Sequence, residues 1–557
     1  LLFSLFNIQA LAQSADLIVS GANIITLAEA TPKPEAIAVK GGKVVALGSL
    51  AEIEKQYKGE ATKRLELDAD MTVIPGFIEG HGHLLSIGMA EMRLKLMPVK
   101  NFDEIVEMVA EAAKTAKPGD WILGRGWHQE KWHPDPEQMV EGYATHHKLS
   151  AVSPNNPVLL IHASGHAVMA NAKAMEAGKV TDDTPAPIGG KIVRDAEGQA
   201  IGVFEENAEA LIFDAYKTWD ASLSAEERVA SQRKALHLAV QESLSKGVTS
   251  FQDAGSSFAD VDLFKQAADK GELDMRLWIM LGESNAALKE KAKSYKLTGY
   301  GNGMLTVGGI KRYVDGALGS RGAWLLKPYS DLPEHMGQQV TPISELEEAA
   351  NIAKETGLQL CTHAIGDRGN REVLNIYERV LQGAEKRWRI EHAQHLHPED
   401  IPRFGKLNVI ASMQGVHCTS DAPFVKPRLG AERAKSGAYV WRALLESGAV
   451  VTNGTDAPVE DVAPLASYYS MVTRQRENGE AFYPEQALSP MEALEAYTQS
   501  NAYAAYEEDV KGDLSVGKYA DFVVLDNDIT NGNHEAIRTT KVVMTVVGGE
   551  IKYRANK

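Results

Sequence analysis

The sequence predicts an α/β protein in which a series of βα units forms a parallel sheet or barrel, joined by a small β domain drawn from both chain ends. Three observations lead there. Residues 240–512 alternate short apolar runs with amphipathic helical stretches. The first and last stretches of the chain read as short strands broken by glycine, and the segment from about 95 to 235 follows neither cadence.

Taken in order, LLFSLFNI at residues 1–8 is apolar, about as long as a signal-peptide core, and is followed by Ala10-Leu11-Ala12, the small-x-small pattern before a cleavage site. Residues 1–12 are therefore read as the remnant of an export signal, which places the protein in a periplasm or outside the cell. If the segment is instead a buried strand or helix, a cytoplasmic location follows. It is too short to span a bilayer, so no membrane insertion of the mature chain is expected.

DLIVSGANIITL, AIAVKGGKVVALG and TKRLELD form a meander or a sandwich edge between Asp16 and Leu67, and ADFVVLDND with KVVMTVVGGEIKY repeats the style near the C-terminus. Residues 16–72 and 513–557 are expected to pair as one β domain bracketing a βα domain of residues 73–512. Within the latter, SELEEAANIAKETG predicts a helix that stops at Gly357. QLCTHA follows as a strand, REVLNIYERVL as a helix, and RWRIEH as a strand with Trp388, Ile390 and His392 on one face and Arg389 and Glu391 on the other. Ser489-Pro490-Met491-Glu492 predicts a capping box with proline at the first helical position. The 95–235 segment, with GRGWHQEKWHPDP and TPAPIGGK, is read as an insertion over the barrel mouth.

Composition narrows the function. Of the 557 residues, 44% are hydrophobic and 24% charged, as in soluble globular proteins with a large core. Acidic residues outnumber basic ones by 75 to 58, and the net charge of −17 repels phosphate backbones, so nucleic acid is not an expected partner. Cys361 and Cys418 make neither a disulfide framework nor a zinc-finger spacing. P-loop, strand-borne GxGxxG and GxSxG motifs are missing from the sequence.

The chemistry-bearing residues sit at the ends of apolar runs. VIPGFIEGHGHLL carries His81-Gly82-His83, whose two imidazoles point to one side of an extended chain and can meet one cation. Lys311 lies in TVGGIKRYVDGALGSRG, His363 ends QLCTHAIGD, His392 ends RWRIEHAQ, and Asp456 ends AVVTNGTDAPV. A lysine inside an apolar run is paired with an acid, points to solvent, or is a desolvated amine that has captured carbon dioxide as a carbamate. Each residue alone also fits an ordinary core or capping role. In series they make a metal site, because the strand ends of one barrel converge on one face.

These motifs resemble the amidohydrolase superfamily. PGFIEGHGHL, IKRYVDGALGSRGA, HAIGDRGN, RIEHAQH and NGTDAPV are similar to the YtcJ-like branch, which includes N-substituted formamide deformylases. The resemblance implies a distorted (β/α)8 barrel flanked by a small β-sandwich, with one or two divalent ions, zinc first. It implies that His81, His83 and Asp456 bind the first metal, that Lys311 bridges as its carbamate, and that His363 and His392 hold the second. Glu79 stands where the superfamily often has aspartate, and it is not expected to be a ligand. Trp127, His128, His166, Arg321, Gln414 and His417 resemble positions lining the substrate pocket, and Trp127, Trp132 and Trp324 suggest an aromatic wall. Asp367 reads as a helix N-cap rather than a catalytic acid.

The expected activity is hydrolysis of a C–N bond in an amide or N-substituted formamide of a small molecule. A metal-activated hydroxide attacks, and Asp456 takes its proton and passes it to the leaving nitrogen. The same site also suits a cyclic imide hydrolase, a deaminase or an ester hydrolase, and a non-catalytic exported binding protein is the alternative from another class. A small-molecule substrate and a homodimer complete the expected partners.

Overall fold

The computed structural model describes residues 14–556 apart from 130, 131, 164, 165 and 477, so the export-signal expectation for residues 1–12 lies outside the described residues. The chain divides into two compact units. One holds the residues up to 84 together with those from 240 onward, and the other holds residues 85–239. No helix among the described residues is long and apolar enough to cross a membrane.

Eight parallel strands dominate the first unit: β1 (Phe77–Gly82), β2 (Val248–Ser256), β3 (Arg276–Leu281), β4 (Leu305–Tyr313), β5 (Gln359–Ala364), β6 (Arg389–His392), β7 (Ile410–Gln414) and β8 (Val451–Gly454). They pair in chain order, each with the next. Every residue of β1, β3, β6, β7 and β8 is buried, as a parallel sheet covered on both faces requires. Helices follow the strands, among them α1 (Ile343–Thr356), α2 (Asp367–Leu381), α3 (Gly415–Leu429), α4 (Pro490–Tyr497) and α5 (Gln499–Ala504). Helix α1 ends on Gly357 at φ +69, and α4 opens on the Ser489–Glu492 capping box with Pro490 at its start.

The barrel is nearly closed. Side chains and single main-chain bonds span the seam between β8 and β1. Asn501 of α5 donates its amide to the carbonyls of Ile78 (2.7 Å) and Asn453 (2.8 Å), and the buried Glu79 carboxylate accepts from the Thr455 N–H. Asp456 N–H donates to His81 O, and His83 N–H to Ala457 O, each at 2.8 Å. Gly80 makes this approach possible, since a Cβ there would lie 2.5 Å from the Asn453 carbonyl oxygen.

The two chain ends pair as the strand pattern suggests. Residues Thr72–Pro75 run antiparallel to Phe522–Leu525 in a five-stranded sheet, and a four-stranded sheet is built from residues 17–66. Both sheets contribute to one apolar cluster that includes Val19, Val39, Leu65, Phe522, Val524 and Val546. Two separate domains were expected at residues 16–72 with 513–557 and at 73–512, whereas the structure holds these sheets and the barrel in one compact unit. A buried bidentate pair helps to join them: Arg276 of β3 donates from Nε and Nη2 to Asp521 at 2.6 and 3.0 Å.

The second unit has a mixed six-stranded sheet with apolar clusters on both faces. Leu160, Met169 and Val203 belong to one cluster, and Leu159, Val168, Ala170 and Phe204 to the other, so side chains alternate across the sheet. Its first and last helices, Leu84–Glu91 and Ala225–Ser245, meet where Gly88 faces Ala235. A Cβ on Gly88 would lie 1.8 Å from the Ala235 carbonyl oxygen.

Candidate metal centre

The C-terminal ends of the barrel strands gather the six expected ligands on the wall of one cavity of about 390 Å³. β1 carries His81 with His83 just beyond it, β4 carries Lys311, β5 His363 and β6 His392, and Asp456 follows β8. Ligand atoms of His81, His392 and Asp456 all lie within 4.8 Å of one another. Asp456 Oδ1 is 3.1 Å from His83 Nε2 and 3.6 Å from His81 Nε2, and the Lys311 amine is 3.2 Å from His81 Nε2. The His392 ring lies 4.6 Å, centre to centre, from those of both His81 and His363.

Two neighbours aim the imidazoles. His81 Nδ1 faces Glu391 Oε2 at 2.5 Å, and His392 Nδ1 faces Gln414 Oε1 at 2.7 Å. Both partners accept hydrogen bonds, so each ring carries its proton on Nδ1 and leaves Nε2 open to a cation. Burial pushes the imidazole pKa values down: His81 below its ordinary value, His363 to about 3 and His392 well below the usual range. Burial likewise lowers the Lys311 amine, despite Glu391 and Asp456 nearby. It opposes ionisation of Glu391 and Asp456, yet His81 holds Glu391 at about 2, and His83 with His81 holds Asp456 well below the carboxylate range. Neutral imidazoles beside ionised carboxylates are the protonation states a divalent cation binds. The lone-pair inventory agrees, since His363 Nε2 is buried without a hydrogen-bond partner. The residues present fit a divalent metal.

Backbone conformation explains how the strands deliver these groups. Strict alternation along β6 would separate Glu391 from His392. Glu391 and Arg389 do point inward, Arg389 to Gln359 Oε1 at 2.7 Å, while Trp388 packs on Tyr377 of α2. His392 nevertheless joins the cavity wall, because the chain turns at His392 (φ +74) and Ala393 (φ +43). Asp456 reaches the site through a similar turn at φ +59. Glu391, Gln394 and Asp421 were absent from the sequence-based site. Glu391 could have been found as the inward neighbour of Arg389, and Asp421 as the residue one helical turn beyond His417.

The expected pocket residues divide. His417 lines the cavity with its Nδ1 3.0 Å from Gln394 Nε2. Gln414 is buried behind His392 as its orienting partner. Arg321 is absent from the cavity wall and instead pairs with Asp331 at 2.9 Å, which also takes Arg428. Trp127 is fully buried in the apolar core of the second unit, with its indole N–H on the Leu160 carbonyl, and Trp132 packs beside it. That burial removes both from an aromatic wall. Trp324 instead faces the Arg368 guanidinium. His128 packs on His162 within the second unit, and the exposed His166 lies 3.2 Å from Glu206. Asp367 is the first residue of α2 rather than its cap, which is Gly366, and its carboxylate accepts from the Leu326 N–H.

Comparison with known proteins places this geometry in a family. The amidohydrolase family model Amidohydro_3 matches residues 68–553. Protein LONG AFTER FAR-RED 3 of Arabidopsis thaliana is 33% identical, over 97% of this chain and 92% of its own. The putative amidohydrolase YtcJ of Bacillus subtilis is 30% identical over 96% and 98%, and the N-substituted formamide deformylase of Arthrobacter pascens 27% over 98% and 99%. An uncharacterized metal-dependent hydrolase from Pyrococcus furiosus superposes with a TM-score of 0.72 at 26% identity, covering 92% of this chain and all of its own. With a barrel-end His/Asp cluster fit for a divalent metal and similarity along nearly its whole length, the chain is a hydrolase that belongs to the amidohydrolase family, in its YtcJ-like branch.

Proposed function

We propose that the protein hydrolyses a C–N bond of a small amide or N-substituted formamide. The reading is carried by one observation: the Lys311 amine, neutral imidazoles and the Asp456 carboxylate meet at the end of one cavity. The relatives named as a putative amidohydrolase and a formamide deformylase support the same bond type. His81, His83 and Asp456 would hold a first ion and His363 with His392 a second, with zinc the best match to this donor set. Bound there, a divalent ion lowers the pKa of water from 15.7 to about 7 and polarises a carbonyl oxygen.

The chain's own residues do the rest. Glu391 and Gln414 fix the tautomers of His81 and His392. Asp456 accepts the proton of the attacking water and returns it to the leaving nitrogen, which would otherwise depart as an unstable amide anion. Lys311 is buried, and that burial lowers its amine pKa; its nitrogen lone pair would add carbon dioxide with release of one proton, giving an anionic carbamate that could help to hold the ions. We also read the two end sheets around their shared apolar cluster as the small β-sandwich of the family.

The test is hydrolysis of aromatic N-formyl compounds, N-acyl amino acids and cyclic imides by metal-loaded protein, with and without chelator. Chelator-sensitive release of amine from an amide supports the reading. Turnover confined to cyclic imides or esters, or stoichiometric metal without any turnover, would refute it.

A further inference from the structure

Building on the amide-hydrolase reading, we propose that the cavity selects substrates by charge, accepting amides with a neutral or basic body and rejecting those that carry a free carboxylate. The selecting wall is built by α3 and the loop after β8. Helix α3 presents His417, Asp421 and Phe424, spaced four and three residues apart and so on one helical face. The loop adds Val459 and Glu460. Leu318, Ile365 and Phe424 supply apolar surface for the body of a ligand, and Lys311, the one lysine or arginine among the described residues of the wall, is placed at the metal end beside His81.

Asp421 and Glu460 therefore line the cavity with no lysine or arginine besides Lys311 among the described wall residues, and the His417 imidazole is the one basic group that acts on Asp421. Tyr439 donates its hydroxyl to Asp421 Oδ2 at 2.5 Å and supplies no positive charge. Burial raises the Asp421 pKa against the opposing pull of the Tyr439 hydroxyl and His417, and the Glu460 charge adds to the rise, so the two carboxylates are close enough to act on each other. A cationic or N–H-rich group between them relieves that repulsion, and a third carboxylate in the same concave, poorly solvated space adds to it.

A second feature points to a ligand independently. His417 is only 6% exposed, and its Nε2 has no hydrogen-bond partner. The Gln394 amide nitrogen donates to Nδ1, so Nε2 carries the hydrogen and is a buried donor on the cavity wall. Such a donor is costly to leave unpaired and suits an uncharged acceptor such as an amide carbonyl. Together the wall offers one donor for a carbonyl oxygen and two carboxylates for donors on the substrate body.

The experiment uses the metal-loaded full chain and reads binding of benzyltrimethylammonium and benzenesulfonate by ligand-observed NMR, in the wild type, Glu460→Gln and Asp421→Asn. Because the net charge of −17 favours cations over the whole surface, the variants decide the matter. The ammonium should bind about tenfold more tightly than the sulfonate, and each variant should cut that preference by about threefold. Equal binding in the wild type, or a preference unchanged in both variants, would overturn the proposal. Asp421→Asn keeps an acceptor for Tyr439, and Glu460→Gln alters a loop residue, so the pair does not depend on one fragile variant. Chelator-sensitive hydrolysis of N-benzylformamide is measured in parallel. Charge selection without turnover refutes the amide-hydrolase reading alone, and turnover without charge selection refutes only this inference.

Discussion

Glu391 Oε2 lies 2.5 Å from His81 Nδ1, and both side chains are buried at the end of the barrel. The carboxylate thereby sets which imidazole nitrogen faces the cavity. Replacing Glu391 with Gln keeps an acceptor but removes the charge that strengthens the bond and raises imidazole basicity. Metal affinity should fall by about 10- to 100-fold, read by competition with a chelator of known affinity. Unchanged affinity would show that the pair only fills space.

In the proposed reading Lys311 serves only to hold metal, whereas Asp456 is both a ligand and the group that moves the proton. Lys311→Ala removes the amine 3.2 Å from His81 Nε2, and metal content measured by elemental analysis should drop. Asp456→Asn should retain metal yet lose turnover by about 100-fold or more, the usual worth of general acid–base help. Near-normal rates in that variant would remove Asp456 from proton transfer.

Gly80 is where the seam between β1 and β8 is tightest. A methyl group there meets the Asn453 carbonyl and the Asn501 side chain, at 2.5 and 2.4 Å. Gly80→Ala should cost about 1–3 kcal/mol in urea unfolding, because backbone on one side cannot give way. A wild-type midpoint would mean that the seam is looser than its hydrogen bonds indicate.

The capping box of α4 makes a prediction about acid. Arg442 and Ser489 hold the Glu492 carboxyl at about 2, below its ordinary 4.5. A depressed folded-state pKa stabilises above pH 4.5, and that stability is lost as pH falls through about 2. The side chain is 32% exposed, so Glu492→Gln should cost only about 1 kcal/mol at neutral pH. Thermal melts of the two proteins should converge near pH 2. A gap that persists there would assign the loss to packing.

Much of the architecture was legible because it follows from periodicity. Gly357, Ser489 and Glu492 mark helix ends by local chemistry, and those helices end and begin at them. The six expected ligands were legible as polar residues closing apolar runs, and they line one cavity. Their support was not. Glu391 was assigned to the face opposite His392, and only the positive φ of His392 and Ala393 brings both to one place. Trp127 read as a pocket aromatic by resemblance to the YtcJ-like branch, yet the core of the second unit buries it. Arg321 finds Asp331 ten residues on, a pairing that a loop fixes without any periodic signal. In the second unit, alternation was masked by the tryptophan- and proline-rich stretches between its strands, so a two-faced sheet read as an irregular insertion.

The contact of Gly88 with Ala235 bears on how that unit could be exchanged. Gly88 and Ala235 sit within Leu84–Glu91 and Ala225–Ser245, so a side chain at position 88 would push apart the two helices with which the segment begins and ends. A segment from a relative put in place of residues 85–239 has to keep a glycine at that position or give up the close approach of the two helices.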